Sequence, residues 1–371
     1  KPITLHAVFG VKTTSEDPIS ILPSEFRYVA SGVGGAVAAK LGEVDDVWYK
    51  GVALESNIGW FFKSKSLPTV TLTGLPSGVK YDRVTAALSG VPTRAGTFTV
   101  KVSVRNVSGA TATAAFKVEV RDLPTWAYGT FDGAVSTNEQ GEVLGVVQSA
   151  TCSNVGKLSG KVRIAGVDTA FTAANFSRFT MEGEVPTFYS VATYSAKENG
   201  KTVKKELPFV FSLNDEDLGA AKGNFGESNV VMMVQNPWSA SDKAFVAALP
   251  KFAKNLSCVV PASLLKPGEN LTFKFADKGK VTVAGKLLGT DGRLVTASGT
   301  TQLLIDWNSA ALIPETDPEE YVYAAKVLAY VPNAKFENKA YCKAFDLTLK
   351  YDSWSNTFVL VNVDETDSIV E

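Results

Sequence analysis

The chain has 371 residues, of which 45% are hydrophobic and 20% charged, enough for two or three domains that each bury a core. Its 37 basic and 38 acidic residues nearly cancel, so no bulk field draws it to nucleic acid or to an anionic membrane. No apolar run approaches the ~18 residues of a membrane-spanning helix. Position 1 is a lysine with no leader-like stretch behind it, which reads as a processed chain or a segment of a longer one.

Residues 1–12 read as a short strand, with Ile3, Leu5, Ala7 and Phe9 on one face and His6 on the other. Residues 15–62 are less regular. Gly32-Val-Gly-Gly35 is a flexible turn that lacks the third glycine and the following helix of a nucleotide loop. Trp48, Tyr49, Trp60, Phe61 and Phe62 then come close together, either as the core of a sandwich or as an exposed strip for sugar or protein. From 97 to 105 the alternation is unbroken, with Phe98, Val100, Val102 and Val104 facing one way and Thr97, Thr99, Lys101, Ser103 and Arg105 the other. After a turn at Asn106-Val-Ser-Gly109 the pattern restarts with Ala114, Phe116, Val118 and Val120. This predicts a β-hairpin with one buried and one wet face.

The residue order around this hairpin resembles the immunoglobulin-like (cadherin-like) domain that bacteria string together in secreted and surface proteins. That family's Gly-Leu-Pro-x-Gly-Leu is matched by Gly74-Leu75-Pro76-Ser77-Gly78-Val79. Its Ile-Ser-Gly-Thr-Pro-x-x-Ala-Gly-Thr-Tyr is matched by Leu88-Ser89-Gly90-Val91-Pro92-Thr93-Arg94-Ala95-Gly96-Thr97-Phe98. The resemblance implies a β-sandwich over 15–122 and an extracellular or cell-surface address, but no single chemistry. Residues 1–14 resemble the closing strand of internalin-type repeats, which implies the tail of a preceding module.

Arg121-Asp-Leu-Pro124 marks a boundary. Beyond it the sequence echoes itself at a spacing of roughly 125 residues. Ser228-Asn-Val-Val-Met-Met-Val-Gln-Asn236 pairs with Ser355-Asn-Thr-Phe-Val-Leu-Val-Asn362, and Gly156-Lys-Leu-Ser-Gly160-Lys-Val162 with Gly279-Lys-Val-Thr-Val-Ala-Gly285-Lys-Leu287. Gly-Lys, Asp291-Gly292 and Asn199-Gly200 turns supply the positive φ of tight hairpins. The expected fold is all-β: an immunoglobulin-like sandwich, then a duplicated antiparallel β-barrel or meander over 123–364, with half-repeats of 126–238 and 255–363. Closure removes exposed edges, and one barrel built from the pair is the preferred form. The pattern resembles paired Gly-Lys-rich β-domains of large surface proteins of gut and aquatic bacteria. A short helix within 242–254, capped by Ser239 or Ser241 and broken by Pro250, joins the halves.

Chemistry is sparse. The single histidine, His6, is far in sequence from any nucleophile and is not expected to serve a catalytic triad or a metal. Cys152, Cys258 and Cys342 form no Cys-x-x-Cys or Cys/His cluster and read as small buried hydrophobes. Acidic clusters at Asp45/Asp46, Asp215/Glu216/Asp217 and Asp317/Glu319/Glu320 read as solvated loop charge; a glycosidase pair or a calcium site is the functional alternative. The sequons at Asn106, Asn175, Asn255 and Asn270 arise freely in a Ser/Thr-rich chain. Phe273, Phe275, Tyr351 and Trp354 read as core, not as a base-stacking platform.

These observations predict a non-catalytic extracellular module with no cofactor, no metal, no nucleic-acid partner and no membrane insertion. Its role would be adhesion or ligand binding, to a glycan or an extracellular host protein, through Trp48, Tyr49, Trp60, Trp126 and Trp238. The alternatives are a structural spacer or filament subunit that self-assembles through the N-terminal strand and, behind it, a carbohydrate-active enzyme.

Overall fold

The structure, a computed structural model, describes residues 20–21, 27–30, 37–40, 48–59, 62–63, 68–83, 85, 87–107, 109–138, 142–182, 185–213, 218–240, 242–289, 291–314, 319–336 and 339–364. The expected strand at 1–12 with His6, the turn at Gly32–Gly35, Trp60, and the acids Asp45, Asp46, Asp215, Glu216, Asp217 and Asp317 lie outside those residues. The chain divides into two compact units, Lys1–Leu123 with Ser177–Thr180 and Pro124–Phe176 with Met181–Glu371.

In the first unit the predicted hairpin forms as Gly96–Arg105 and Thr111–Arg121, paired in register from Gly96 opposite Val120 to Arg105 opposite Thr111. Thr69–Thr73 flanks it antiparallel and Trp48–Tyr49 flanks it parallel, giving a four-stranded sheet. A five-stranded sheet runs Val37–Lys40, Arg27–Ala30, Leu54–Gly59, Ala87–Gly90, Val79–Asp82. Val100, Val102, Val104, Phe116 and Val118 from the first sheet form one core with Val79 and Leu88 from the second. Period-2 alternation therefore becomes an all-β sandwich. The motif glycines are fixed by geometry. Gly74 has φ +79°, and a Cβ there would stand 2.2 Å from the Thr99 carbonyl oxygen; Gly78 has φ +91° and would strike the Val91 oxygen at 2.0 Å.

The second unit contains two separate sheets instead of the single barrel preferred from the sequence. Each stretch pairs its strands within itself. The first sheet runs Val167–Ala173, Leu158–Ile164, Val143–Cys152, Gly129–Ser136, Asn229–Gln235, Gly219–Phe225, Lys201–Leu213, Val185–Glu198, with Arg178–Glu182 ending the path. Val167–Ala173 also pairs with Val185–Glu198, at Phe171–Tyr194 and Thr172–Thr193, so the sheet closes into a barrel. Inward-facing Phe131, Phe171, Phe188, Phe209 and Phe211, joined by Phe176 from the loop, fill the interior. Their rings meet edge to face or tilted, as with Phe131 and Phe211 at 5.4 Å and 89°, and Phe176 and Phe211 at 5.1 Å and 80°.

The second sheet runs Lys251–Phe252, Thr357–Val363, Lys339–Asp352, Glu320–Phe336, Leu294–Ile305, Lys280–Leu288, Asn270–Ala276, Ser257–Val259. It curls over its own core. Phe273 and Phe345, on strands well separated in the sheet, meet at 5.4 Å and 69°. The two sheets touch through a small apolar cluster of Val146, Leu328 and Tyr330, which draws in Ala134, Leu304 and Cys342. Gln148 Nε2 donates to the Thr300 carbonyl at 2.8 Å across this contact. The helix between the sheets is Lys243–Ala248. Its cap is Asp242, whose Oδ1 accepts from Ala244 N at 2.8 Å and Phe245 N at 3.1 Å, not one of the serines expected.

Candidate functional site

Of the five aromatics expected to carry binding, three described here are largely hidden. Trp48 is 5% exposed because its strand pairs beside Val120 and sends the indole into the sandwich core. Trp126 is 8% exposed, held by the short 3-10 turn Thr125–Ala127 at 5.5 Å from Phe188. Neither forms an exposed strip. Tyr49, next to Trp48, is half-buried, and Trp60 lies outside the described residues. Trp238 is 7% exposed but reaches the wall of a cleft of about 460 Å³ where the two sheets of the second unit meet.

Two turns of like construction frame this cleft. After the strand Asn229–Gln235, Asn236 Oδ1 accepts from Trp238 N at 3.0 Å, and Ser239 Oγ donates back to the Asn236 carbonyl at 2.9 Å. After Leu294–Ile305, Asp306 Oδ1 accepts from Asn308 N at 3.1 Å, and Ser309 Oγ donates to the Asp306 carbonyl at 2.6 Å. An Asn or Asp side chain opening a turn and a serine three residues later fix each backbone locally. The turns present Trp238 and Trp307 at 6.0 Å and 56°. Trp307 is half-buried, braced edge-on by Tyr323 at 5.8 Å.

The lining also includes one rung across three adjacent strands, where Leu304 pairs with Lys326 and Lys326 with Asp346. Lys326 Nζ lies 3.4 Å from Asp346 Oδ1, and both side chains are substantially open to solvent. The floor holds Asp132, a buried carboxylate at an irregularity between Phe131 and Gly133. Its Oδ1 accepts from Ser149 N at 2.7 Å, and its Oδ2 accepts from Asn236 Nδ2 at 3.1 Å. Ser149 has φ +55°, so the bulge turns its N–H toward the acid. Burial pushes the Asp132 carboxyl above its ordinary range, while these two donors pull it back down.

Trp307, Lys326, Asp346 and Asp132 are absent from the sequence reading. The one local signal was the repeated Asx-x-x-Ser frame around a tryptophan. The remaining acids of the 317–320 cluster are engaged locally, Glu319 with the Tyr321 hydroxyl at 2.8 Å and Glu320 with Lys350 at 2.7 Å. Among the described residues no three His, Cys, Asp or Glu side chains gather as a metal site. Trp354, expected in the core, is instead 85% exposed at a hairpin tip, where Asp352 Oδ1 accepts from its N–H at 2.9 Å. The sequon residue Asn106 is buried, and its Oδ1 accepts from Ala110 N at 2.9 Å.

Residues 58–121 match the family described as "Putative Ig domain", which places the immunoglobulin-like character on the sandwich. Among curated proteins, the chain is similar to the "Serine-rich adhesin for platelets" of Staphylococcus aureus. In strains USA300 and NCTC 8325 it is 44% identical over 52 residues, 14% of this chain and 2% of the adhesin. In strain MRSA252 the same identity covers 4% of that protein. The similarity is thus confined to a short stretch of very long relatives. No helix among the described residues is long and apolar enough to cross a membrane.

Proposed function

We propose that this chain is a non-catalytic binding module of a bacterial surface or secreted protein, acting in adhesion. The observation that carries this reading is the immunoglobulin-like match at 58–121 together with the stretch shared with a staphylococcal surface adhesin. Such modules hold loops and clefts on rigid β scaffolds and take their partners outside the cell. The two sheets of the second unit are, in this reading, copies of one module. In support, the echoed segments fall on comparable elements. Leu158–Ile164 and Lys280–Leu288 each open a hairpin, and Asn229–Gln235 and Thr357–Val363 are each the last strand of their sheet.

The test is immobilisation of the intact chain against arrayed glycans and extracellular host proteins, with size-exclusion chromatography alongside. Saturable binding to one class by a monodisperse chain is expected. Absence of binding combined with concentration-dependent assembly would overturn the reading in favour of a spacer or filament subunit. Cleavage of an arrayed glycan would overturn it in favour of an enzyme.

A further inference from the structure

We propose that the open edge of the strand Thr357–Val363 is a docking site for the chain's own segment Ser368–Glu371, which returns antiparallel beside it and adds a strand to the curled sheet. A difference in strand order between the two sheets of the second unit carries this. Both sheets follow one path through a long hairpin. Val167–Ala173 pairs with Val185–Glu198 and that with Lys201–Leu213; Leu294–Ile305 pairs with Glu320–Phe336 and that with Lys339–Asp352. By its place in this path Thr357–Val363 corresponds to Gly219–Phe225, although its sequence echoes Asn229–Gln235. In the barrel the far side of Gly219–Phe225 is taken by Asn229–Gln235, antiparallel from Phe225 opposite Asn229 to Ala220 opposite Val234. In the curled sheet the far side of Thr357–Val363 is met by Lys251–Phe252, opposite Thr357 and Phe358. Among the described residues no strand pairs with that side from Val359 to Val363.

The ladder fixes which groups face that open side. Asp364 N donates to the Asp346 carbonyl at 3.0 Å. Counting back by two, Asn362 and Leu360 also bond toward Lys339–Asp352, so Val361 and Val363 turn their N–H and C=O groups outward. The Val361 side chain is buried, whereas Val359 and Leu360 are 39% and 46% exposed, so apolar surface borders the open side. The sheet's other end, Ser257–Val259, lies near Thr357–Val363 without pairing with it, and direct closure between the two is the competing arrangement.

After Val363 the sequence reads Asp364-Glu-Thr-Asp367, a polar run suited to a turn, and then Ser368-Ile-Val-Glu371, whose two β-branched residues suit a strand. Residues 365–371 lie outside the described residues. Thr348 Oγ1 donates to Asp364 Oδ2 at 2.5 Å, which anchors the start of the turn to the neighbouring strand. A hairpin loop of Asp364–Asp367 sets Val363 opposite Ser368. Asn362 then faces Ile369, Val361 faces Val370 and Leu360 faces Glu371. In this register Val370 joins Val361 on the core side, and Ile369 lies on the outer side, diagonal to the exposed Leu360. The segment covers Leu360 to Val363, while Lys251–Phe252 already serves Thr357 and Phe358. So short a tether gives the segment a roughly millimolar effective concentration, which favours it over the edge of a second copy.

The experiment uses the intact chain. In a ladder of this phase Val361 and Val370 are a hydrogen-bonded pair, and Asn362 and Ile369 a pair whose side chains stand close on the outer face. The double variant Asn362→Cys/Ile369→Cys is expected to form a disulfide within one molecule on mild oxidation, found by peptide mass on a chain that elutes as a monomer. Asn362→Cys/Val370→Cys, with its thiols on opposite faces, is the control and is expected to form none. Amide hydrogen exchange reads the edge without added cysteines. The Val361 and Val363 N–H groups are expected to be protected in the wild type and to exchange at least about tenfold faster in Val370→Pro, whose proline cannot donate to the ladder. A disulfide-linked dimer overturns the proposal in favour of a strand from a second copy. Absence of the disulfide, equal yield in both double variants, or a Val361 N–H unprotected in the wild type also overturns it. So does protection unchanged in Val370→Pro, which would assign the closure to Ser257–Val259.

Discussion

The two sheets of the second unit solve one problem in different ways. A β-sheet that ends leaves a row of unpaired backbone donors and acceptors open to association. The first sheet has no such edge along its ring, because Val167–Ala173 finds Val185–Glu198 and the barrel shuts around its phenylalanines. In the second, no pairing joins its two ends among the described residues. It finishes in strands of two and three residues, Lys251–Phe252 and Ser257–Val259, too short to template a neighbour, and it curls over a mixed aliphatic and aromatic core. Closure invests stability in a few rungs; shortening spreads the protection over the ends.

That contrast can be broken at its strongest point first. Phe171 sits on the closing rung and is buried, so Phe171→Ala is expected to cost about 3–5 kcal/mol in urea unfolding of the intact chain. A cost of under about 1 kcal/mol would mean that closure adds no stability. Next is the bulge that points Asp132 into the cleft. Asp132→Ala leaves the Ser149 N–H and the Asn236 amide unmatched and should cost about 1–3 kcal/mol.

The pH dependence of that variant sharpens the point. The carboxyl is held above the ordinary 3.8, so the folded protein takes up this proton before the unfolded chain does. The stability linked to it is full below 3.8 and is lost as pH rises through the raised folded value. Chevron or equilibrium series from acid to neutral pH should show this slope in the wild type and not in Asp132→Ala. The smallest effect belongs to the short edge of the second sheet. Val259 is 69% exposed there, and Val259→Lys should move stability by no more than about 0.5 kcal/mol. A larger loss would show that this edge is packed and not simply short.

The sandwich hairpin was legible because its information is local: alternation at 97–105 and 113–121 states which face is buried, and Asn106 to Gly109 states where the chain turns. The helix cap was misassigned because Ser239, Ser241 and Asp242 all stand just before the helix, and Asp242 is the one that accepts from the N–H groups of Ala244 and Phe245. Trp354 was misread because alternation says nothing about a turn; Asp352 accepts from Trp354 and Ser355 and pulls the indole out of the strand pattern. The cleft was illegible for a different reason. Lys326 and Asp346 become neighbours only through strand register, and Asp132 enters the floor through a bulge that breaks the alternation a reader would count.

The three cysteines, all free, make the unit its own recorder of opening. Burial pushes the thiols of Cys152 and Cys342 up to about 12 and that of Cys258 to about 11, so none is a nucleophile while the fold is shut. Cys152 lies in the closed barrel, Cys258 on the short edge of the curled sheet, and Cys342 against the cluster that joins the two. Pulsed alkylation read out by peptide mass would therefore time three separate events in one chain: breaching of the ring, fraying of the edge, and parting of the sheets.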